Sequence, residues 1–196
     1  MPLGAHRTAL MGVAGVSGEN VVLLSTQTAT SDTLLSFTSD ITSKYSEYIF
    51  RFYNINPETD GAYFQFQVNA AGESGYNEFF TSAFFIAELS EGSADPSLNY
   101  TPSLDNAQAT VFQSINYNLG NGANECLGGE LHIFDPSSTT YVKHFYGKSV
   151  VHIHGDRVYH PHVAGYFNTT AALTNVQFKM NSGDWDGLVK MWGVSN

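Results

Sequence analysis

The sequence predicts an all-β fold, a two-sheet antiparallel β-sandwich of jelly-roll type. Short segments with a period-two alternation of apolar and polar residues follow one another along the chain, and turn residues separate them. The aromatic residues are mainly 14 Phe and 11 Tyr, which favour pleated, half-buried surfaces over helices. One sheet of about eleven strands would leave an apolar face in water, so two packed sheets are expected.

The candidate strands are residues 21–25, 34–38, 47–55, 62–69, 79–88, 109–115, 129–134, 140–145, 149–154, 174–180 and 187–194. The clearest is 62–69, where Phe64, Phe66 and Val68 face one way and the polar residues between them face the other. This alternation predicts a strand with one face in the core.

Turn chemistry organises the remaining segments. Residues 181–184, Asn-Ser-Gly-Asp, join 174–180 to 187–194, which predicts a terminal hairpin. We interpret 90–106, rich in Ser, Pro and Asp, as a long surface loop. Only over 76–89 does a helix compete with a strand.

The terminal strand is expected to lie at the centre of the sandwich. Val189, Met191 and Val194 form its more apolar side, and Trp192 is expected to be buried because of its size. Trp185 falls in the preceding turn, where we expect it to be exposed and available for recognition.

Two regions are expected in the chain. Residues 1–20 are small, Gly-rich and mildly apolar without alternation, which predicts an extended N-terminal arm. Residues 21–196 form a single β-sandwich domain, a size within the single-domain range. We expect the arm to lie against a neighbouring subunit; the alternative is that it folds back on its own domain.

Charge and cysteine content exclude several classes of function. A formal net charge of −10 opposes binding to nucleic acid and to anionic membranes, because both require a cationic surface. No apolar run approaches the length of a membrane span. Cys126 is the single cysteine and cannot form an internal disulfide, which suits folding in a reducing cytoplasm. We expect its thiol to be inert.

The histidines are the main candidates for a metal site. Five of the seven fall between residues 144 and 162. His152 and His154 project to one face of an extended strand, as do His160 and His162, so the two pairs could bind a transition metal. The alternative is a set of hydrogen-bonded surface or interface histidines without metal, because the sequence does not show that the pairs face each other.

Other catalytic patterns are absent or weak. The chain has no nucleophile elbow, phosphate loop, paired cysteines or dinucleotide fingerprint. Glu47, Glu78, Glu88 and Glu130 lie in or beside predicted strands, where they are expected to face solvent. A glycosidase-like pair among them is the alternative. We therefore expect a protein that is not an enzyme and that needs no cofactor.

One further observation concerns six segments, residues 3–11, 44–50, 54–62, 120–125, 129–136 and 187–194. Together they resemble small virion structural proteins of tailed bacteriophages, marine phages in particular. In the last segment this chain has Met191-Trp192-Gly193 where such proteins commonly carry Leu-Tyr-Gly, a replacement of one aromatic residue by another.

The resemblance implies a non-enzymatic virion subunit made in the cytoplasm of a bacterial host. We expect a fibre-like adsorption module on the tail apparatus, anchored by its arm, trimeric, and in contact with other virion proteins. A capsid decoration protein is the rival within this class, and a carbohydrate-binding module or a sandwich-type glycan hydrolase lies outside it. Host-surface glycan is a further candidate partner, because Tyr and Trp faces stack on sugars, although such faces suit a subunit interface equally well.

Overall fold

The computed structural model describes residues 20–92, 95–153 and 157–195. These residues form thirteen strands and one short 3-10 helix, Pro102–Leu104. The strands are β1 (Val21–Asp32), β2 (Leu34–Phe37), β3 (Glu47–Pro57), β4 (Phe64–Ala70), β5 (Phe80–Ser90), β6 (Ser97–Tyr100), β7 (Asn106–Ala109), β8 (Gln113–Ser114), β9 (Leu127–Phe134), β10 (Lys143–Ile153), β11 (Arg157–Phe167), β12 (Leu173–Met180) and β13 (Trp185–Val194). Of the predicted arm, residues 1–20, all but the last residue lie outside the described residues.

The strands form two antiparallel sheets that pack face to face. The larger sheet has the order β1-β13-β3-β9-β10-β11-β5-β6, with β7 also paired to β5. The smaller sheet has the order β2-β12-β4-β8. The prediction of an all-β sandwich is therefore confirmed. Neighbouring strands are often distant in sequence, as for β1 and β13.

An aromatic core fills the space between the sheets. Phe178 on β12 lies at its centre and contacts rings of both sheets. Its ring centroid is 5.3 Å from that of Phe50 and 5.7 Å from that of Phe64. Edge-to-face and offset contacts of this kind add to the free energy gained by burying the rings.

The predicted alternation in β4 is confirmed, but its second face is also covered. Phe64, Phe66 and Val68 are buried in the core, and Gln67 is buried on the opposite side. The Nε2 of Gln67 donates hydrogen bonds to the carbonyls of Glu78 and Val111, at 3.1 and 2.9 Å. Connecting segments therefore cover this side of the smaller sheet and satisfy its buried amide.

The predicted terminal hairpin is wrong. β12 pairs with β2 and β4 in the smaller sheet, whereas β13 pairs with β1 and β3 in the larger one. The turn between them crosses from one sheet to the other. Asn181 anchors it on one side through two hydrogen bonds with the backbone of Tyr63, and the backbone of Glu58 bonds to Asp184 on the other. Because β12 and β13 lie in different sheets, each of them pairs with a neighbouring strand along both of its edges.

The prediction for the two tryptophans is also wrong. Trp185 is the buried one, 1% exposed, with its ring centroid 5.1 Å from that of Phe64. Trp192 is half-buried on the outside of the larger sheet. β13 begins at Trp185, so alternation places that residue on the same side as Val189 and Met191, which are buried. Val194, predicted on that side, is half-buried on the outer face with Trp192. The prediction failed because it placed Trp185 in a turn, whereas Trp185 is the first residue of β13.

Other predicted elements differ in their limits. Residues 143–145 and 149–153 of two predicted strands belong to one long strand, β10, and residues 80–89 belong to β5, where a helix was the alternative. The predicted loop 90–106 contains β6 and the 3-10 helix. β11 was not predicted, because Pro161 and Gly165 interrupt its pattern. A Cβ at Gly165 would lie 2.3 Å from the carbonyl oxygen of Thr81, so only glycine allows this close strand pairing.

Candidate binding surface

The outer face of the larger sheet is the surface that faces away from the smaller sheet. Alternation in β10 shows it clearly, because odd-numbered residues from Lys143 to Ile153 are buried and the intervening ones are half-buried or exposed. Fourteen large hydrophobic side chains are exposed in the described residues, and ten of them lie on this face: Val21, Leu23, Tyr53, Phe85, Leu89, Leu98, Tyr100, Tyr146, Val150 and Val158. Such a concentration is typical of an interaction surface.

Five of these ten residues form a patch at one end of the sheet. This edge patch consists of Phe85, Leu89, Leu98, Tyr100 and Val158, on β5, β6 and β11. Leu98 and Tyr100 on the terminal strand β6 are the most exposed, at 72% and 63%. None of the five residues is charged. At the opposite end of the sheet, β1 exposes Val21 and Leu23.

A charged row crosses the centre of the outer face. The register places Lys190, Arg51, Glu130 and Lys148 side by side on β13, β3, β9 and β10. The Nζ of Lys148 is 3.1 Å from Oε1 of Glu130, and the Nε of Arg51 is 3.8 Å from Oε2. Burial raises the pKa of Glu130, but its hydrogen bonds with Lys148 and His132 outweigh that effect and lower the pKa below its ordinary value.

Beside this row, an imidazole lies between two carboxylates. The Nδ1 of His132 is 2.5 Å from Oε1 of Glu47, and its Nε2 is 3.3 Å from Oε1 of Glu130. The ring stacks on Tyr146, with centroids 4.4 Å apart. Burial, followed by the charges of Glu130 and Glu47, raises the pKa of Tyr146. The packed imidazole thereby holds Glu130 in position.

A concavity of about 540 Å³ lies next to the charged row. Gly128 and Gly129 line it with bare backbone, and Tyr53, Val150 and His160 line its sides. The charged groups of Arg51, Glu130 and Lys148 complete the lining. This volume is within the range of small-molecule sites.

The structure places three of the four predicted metal ligands on the outer face. His160 and His162 share a face of β11 as predicted, with ring centroids 4.4 Å apart. The Nδ1 of His160 donates a hydrogen bond to the carbonyl of Ser149, at 2.6 Å. His152 lies on the neighbouring strand β10, with Nδ1 3.4 Å from the carbonyl oxygen of Asn124. His154 lies outside the described residues.

His162 is held by aromatic packing. Its ring stacks on Phe85 with centroids 4.8 Å apart and planes within 3°. Burial lowers its pKa, as do the nearby His160 and Lys148. Across residues 20–92, 95–153 and 157–195, no group of three His, Cys, Asp or Glu side chains is arranged to hold a metal ion. The metal site at His152, His154, His160 and His162 therefore stays a prediction.

The candidate carboxylates have separate roles in the fold. Glu78 accepts a hydrogen bond from the backbone of Ala70, and Glu88 accepts hydrogen bonds from Ser97 and Asn99. The Ser97 hydrogen bond is the main cause that lowers the pKa of Glu88. Glu47 and Glu130 contact opposite ring nitrogens of the same imidazole, that of His132. Arg51, the basic neighbour of Glu130 on β3, is not predicted from the sequence.

No protein-family model matches the chain, and no match to it is found among curated proteins or among solved structures. In the described part of the chain, no helix is long and apolar enough to cross a membrane.

Proposed function

We propose that this protein is a non-enzymatic structural subunit of a bacteriophage virion, displayed on the tail apparatus as a fibre-like adsorption module. The observation that supports the proposal is the outer face of the larger sheet, which concentrates exposed apolar side chains on a strongly acidic chain. A subunit of an assembly needs such a surface, and the resemblance of several segments to phage structural proteins agrees with it.

The edge patch is the part of this face that suits contact between copies of the chain. Each copy carries a net charge of −10, so copies repel one another, and an uncharged contact surface adds no local repulsion to this. The edge patch has no charged member and extends onto β6, a strand with a free edge in the described sheet. Free edges with exposed apolar side chains favour association with another chain.

The predicted trimer requires two different surfaces. A patch that contacts its own copy produces a twofold dimer, whereas a closed ring of three needs one surface to contact another. The second surface is the β1 edge, where Val21 and Leu23 are 46% and 45% exposed. We propose that the edge patch of one copy contacts the β1 edge of the next.

The state of the carboxylates supports a role without catalysis. A glycosidase needs a general acid with a raised pKa. The pKa values of Glu130 and Glu88 are instead lowered, by hydrogen bonds with Lys148 and His132 in the first case and chiefly with Ser97 in the second. Because their lowered pKa values favour the ionised form, Glu88 and Glu130 are suited to accept hydrogen bonds and not to donate a proton as a general acid.

Sedimentation of the purified chain tests the assembly. We expect a trimer for the native protein and a monomer for both Leu98→Lys and Leu23→Lys. The matched control is Leu34→Lys, because Leu34 is 43% exposed but lies on β2 in the smaller sheet. If Leu98→Lys dissociates the oligomer and Leu23→Lys does not, the contact is a twofold dimer. A monomeric native protein would refute the proposal that copies associate.

Antibody labelling of phage particles tests the location. Label on the tail supports an adsorption module, whereas label over the head indicates a capsid decoration protein, which could use the same apolar surfaces. Absence of the chain from purified particles would overturn the virion assignment.

A further inference from the structure

The concavity beside the charged row is lined by residues that belong to neither surface assigned to subunit contact. It is lined by residues of β3, β9, β10 and β11 near the middle of the larger sheet, whereas the edge patch and the β1 edge lie towards its two ends. A subunit assembled through its ends would leave this central site open to solvent.

Gly128 keeps the concavity open. The next outward positions of β9 carry Glu130 and His132, but at Gly128 the backbone is bare. A Cβ built there would have only one neighbour within 4 Å, the carbonyl oxygen of Phe52 at 3.8 Å. Packing therefore does not require glycine at this position. Its effect is to leave space above the sheet.

The charged row provides unused hydrogen-bond donors at one end of this space. Arg51 and Lys148 share a single carboxylate, that of Glu130, and their side chains are 48% and 46% exposed. The Nζ of Lys148 has three donors, and the guanidinium of Arg51 has five. The Nε of Arg51 is 3.8 Å from Glu130, which is longer than a hydrogen bond, so the guanidinium has donors that can bind a second carboxylate.

The electrostatic character of the row is opposite to that of the chain. Three of the eight Lys and Arg residues, Lys190, Arg51 and Lys148, lie in it with only one carboxylate, Glu130. In a protein with a net charge of −10, this local excess of positive charge favours an anionic ligand at this position.

An aromatic ring borders the same space. Tyr53 is 38% exposed and lines the concavity, and the Nζ of Lys190 lies 5.4 Å from its ring centroid. An exposed phenol ring offers a flat apolar face with a polar end, which suits the C–H face of a pyranose. His160 adds a polar ring on the other side of the site.

We infer that the concavity binds an acidic saccharide, a chain of sugars that carry carboxylate groups. A sugar ring lies over Gly128 against Tyr53, and its carboxylate accepts hydrogen bonds from the donors of Arg51 and Lys148 that Glu130 leaves unused. This inference gives the proposed adsorption role its ligand class and rests on that role, but it uses residues that the subunit contact does not.

Titration calorimetry of the full-length protein tests the inference, with oligogalacturonate as the probe and a neutral galactose oligomer of equal length for comparison. We expect the acidic oligomer to bind and its affinity to fall as salt is added. Gly128→Val fills the space and should abolish binding. The matched control is Gly92→Val, because a Cβ at Gly92 meets nothing within 4 Å.

Lys148→Met tests the charge at the site. Loss of a charged hydrogen bond should weaken binding of the acidic oligomer by about tenfold or more. Equal affinity of the native protein and Gly128→Val would overturn the inference, as would equal binding of the neutral and acidic oligomers. Sedimentation of Gly128→Val separates the two proposals. An oligomer of native size that no longer binds the acidic oligomer supports the saccharide site. The proposed subunit contact is tested separately, by the Leu98→Lys and Leu23→Lys variants.

Discussion

The imidazole of His132 lies flat against the phenol ring of Tyr146, with centroids 4.4 Å apart and planes within 13°. The same imidazole contacts the carboxylates of Glu47 and Glu130. We predict that His132→Ala destabilises the fold by about 2–3 kcal/mol, because it removes a packed ring and leaves two half-buried carboxylates without this partner. Urea unfolding measures the change. Tyr141→Ala is the control, since Tyr141 is 73% exposed, and an equal loss in both variants would contradict the prediction.

The tryptophans give a second prediction. Trp185→Ala should lower the free energy of unfolding by about 3–5 kcal/mol, because it removes a buried indole from the aromatic core. Trp192→Ala should have a smaller effect, since this half-buried ring lies on the outer face with the guanidinium carbon of Arg51 5.9 Å from its centroid. Thermal unfolding of both variants checks the order. A larger loss for Trp192→Ala would show that the core lies elsewhere.

Lys143 predicts a dependence of stability on pH. Its side chain is fully buried, and its Nζ donates hydrogen bonds to the carbonyls of Tyr141 and Thr169. Burial lowers its pKa below the ordinary value of 10.5. Between the lowered value and 10.5, the unfolded chain binds more protons than the folded one, so this lysine's contribution to stability rises with pH in that window.

The measurement is the melting temperature of the native protein relative to Lys143→Met, followed from neutral pH towards pH 10.5, the ordinary value for lysine. The difference should shift in favour of the native protein as pH rises. Lys44→Met is the control because Lys44 is exposed. A difference that stays constant with pH would count against the prediction.

The predicted arm leads to a deletion experiment. Removal of residues 2–20 should leave a folded domain, because the core described above is built from residues that follow them. It should also abolish incorporation into the particle. Circular dichroism and the occupancy of purified particles measure the two effects. Normal occupancy would show that the arm is not the anchor, and failure to fold would place it in the domain core.

Chelation tests the predicted metal site. A metal held by His152, His154, His160 and His162 at a thousandfold its dissociation constant would stabilise the fold by roughly 4 kcal/mol. The melting temperature should then fall when a chelator is added. His144→Ala is the control, because His144 lies on the same strand as His152 but is not a predicted ligand. This variant should keep the same response to chelator as the native protein. An unchanged melting curve in chelator would leave these side chains as hydrogen-bonded surface histidines.

The fold class could be predicted from sequence because alternation specifies which face of a strand is buried. Phe64, Phe66 and Val68 illustrate this, since all three lie in the core. Alternation does not specify which strand lies alongside, and for that reason β12 and β13 were wrongly paired. β11 was missed because Pro161 and Gly165 are read as strand breakers, although strand pairing accommodates both.

The candidate site was less predictable, again because alternation does not specify which strands are neighbours. Arg51, Glu130 and Lys148 are distant in sequence and meet only through the register of β3, β9 and β10. One signal was present in the sequence: the pair Gly128-Gly129 lies inside a strand, where glycine marks a close approach or a gap. The histidines drew attention to β10 and β11, which do line one side of the concavity.

The position of β13 between β1 and β3 has a consequence for folding kinetics. Val21 pairs with Val194, so the edge of the larger sheet requires closure of nearly the whole described chain before its contacts form. Folds rich in such distant pairings fold in milliseconds to seconds. During that interval β3 has an open edge that the corresponding strand of another copy could occupy. Rapid synthesis at high concentration would therefore favour strand-exchanged aggregates, and chaperones that hold the chain until β13 inserts should raise the yield of native protein.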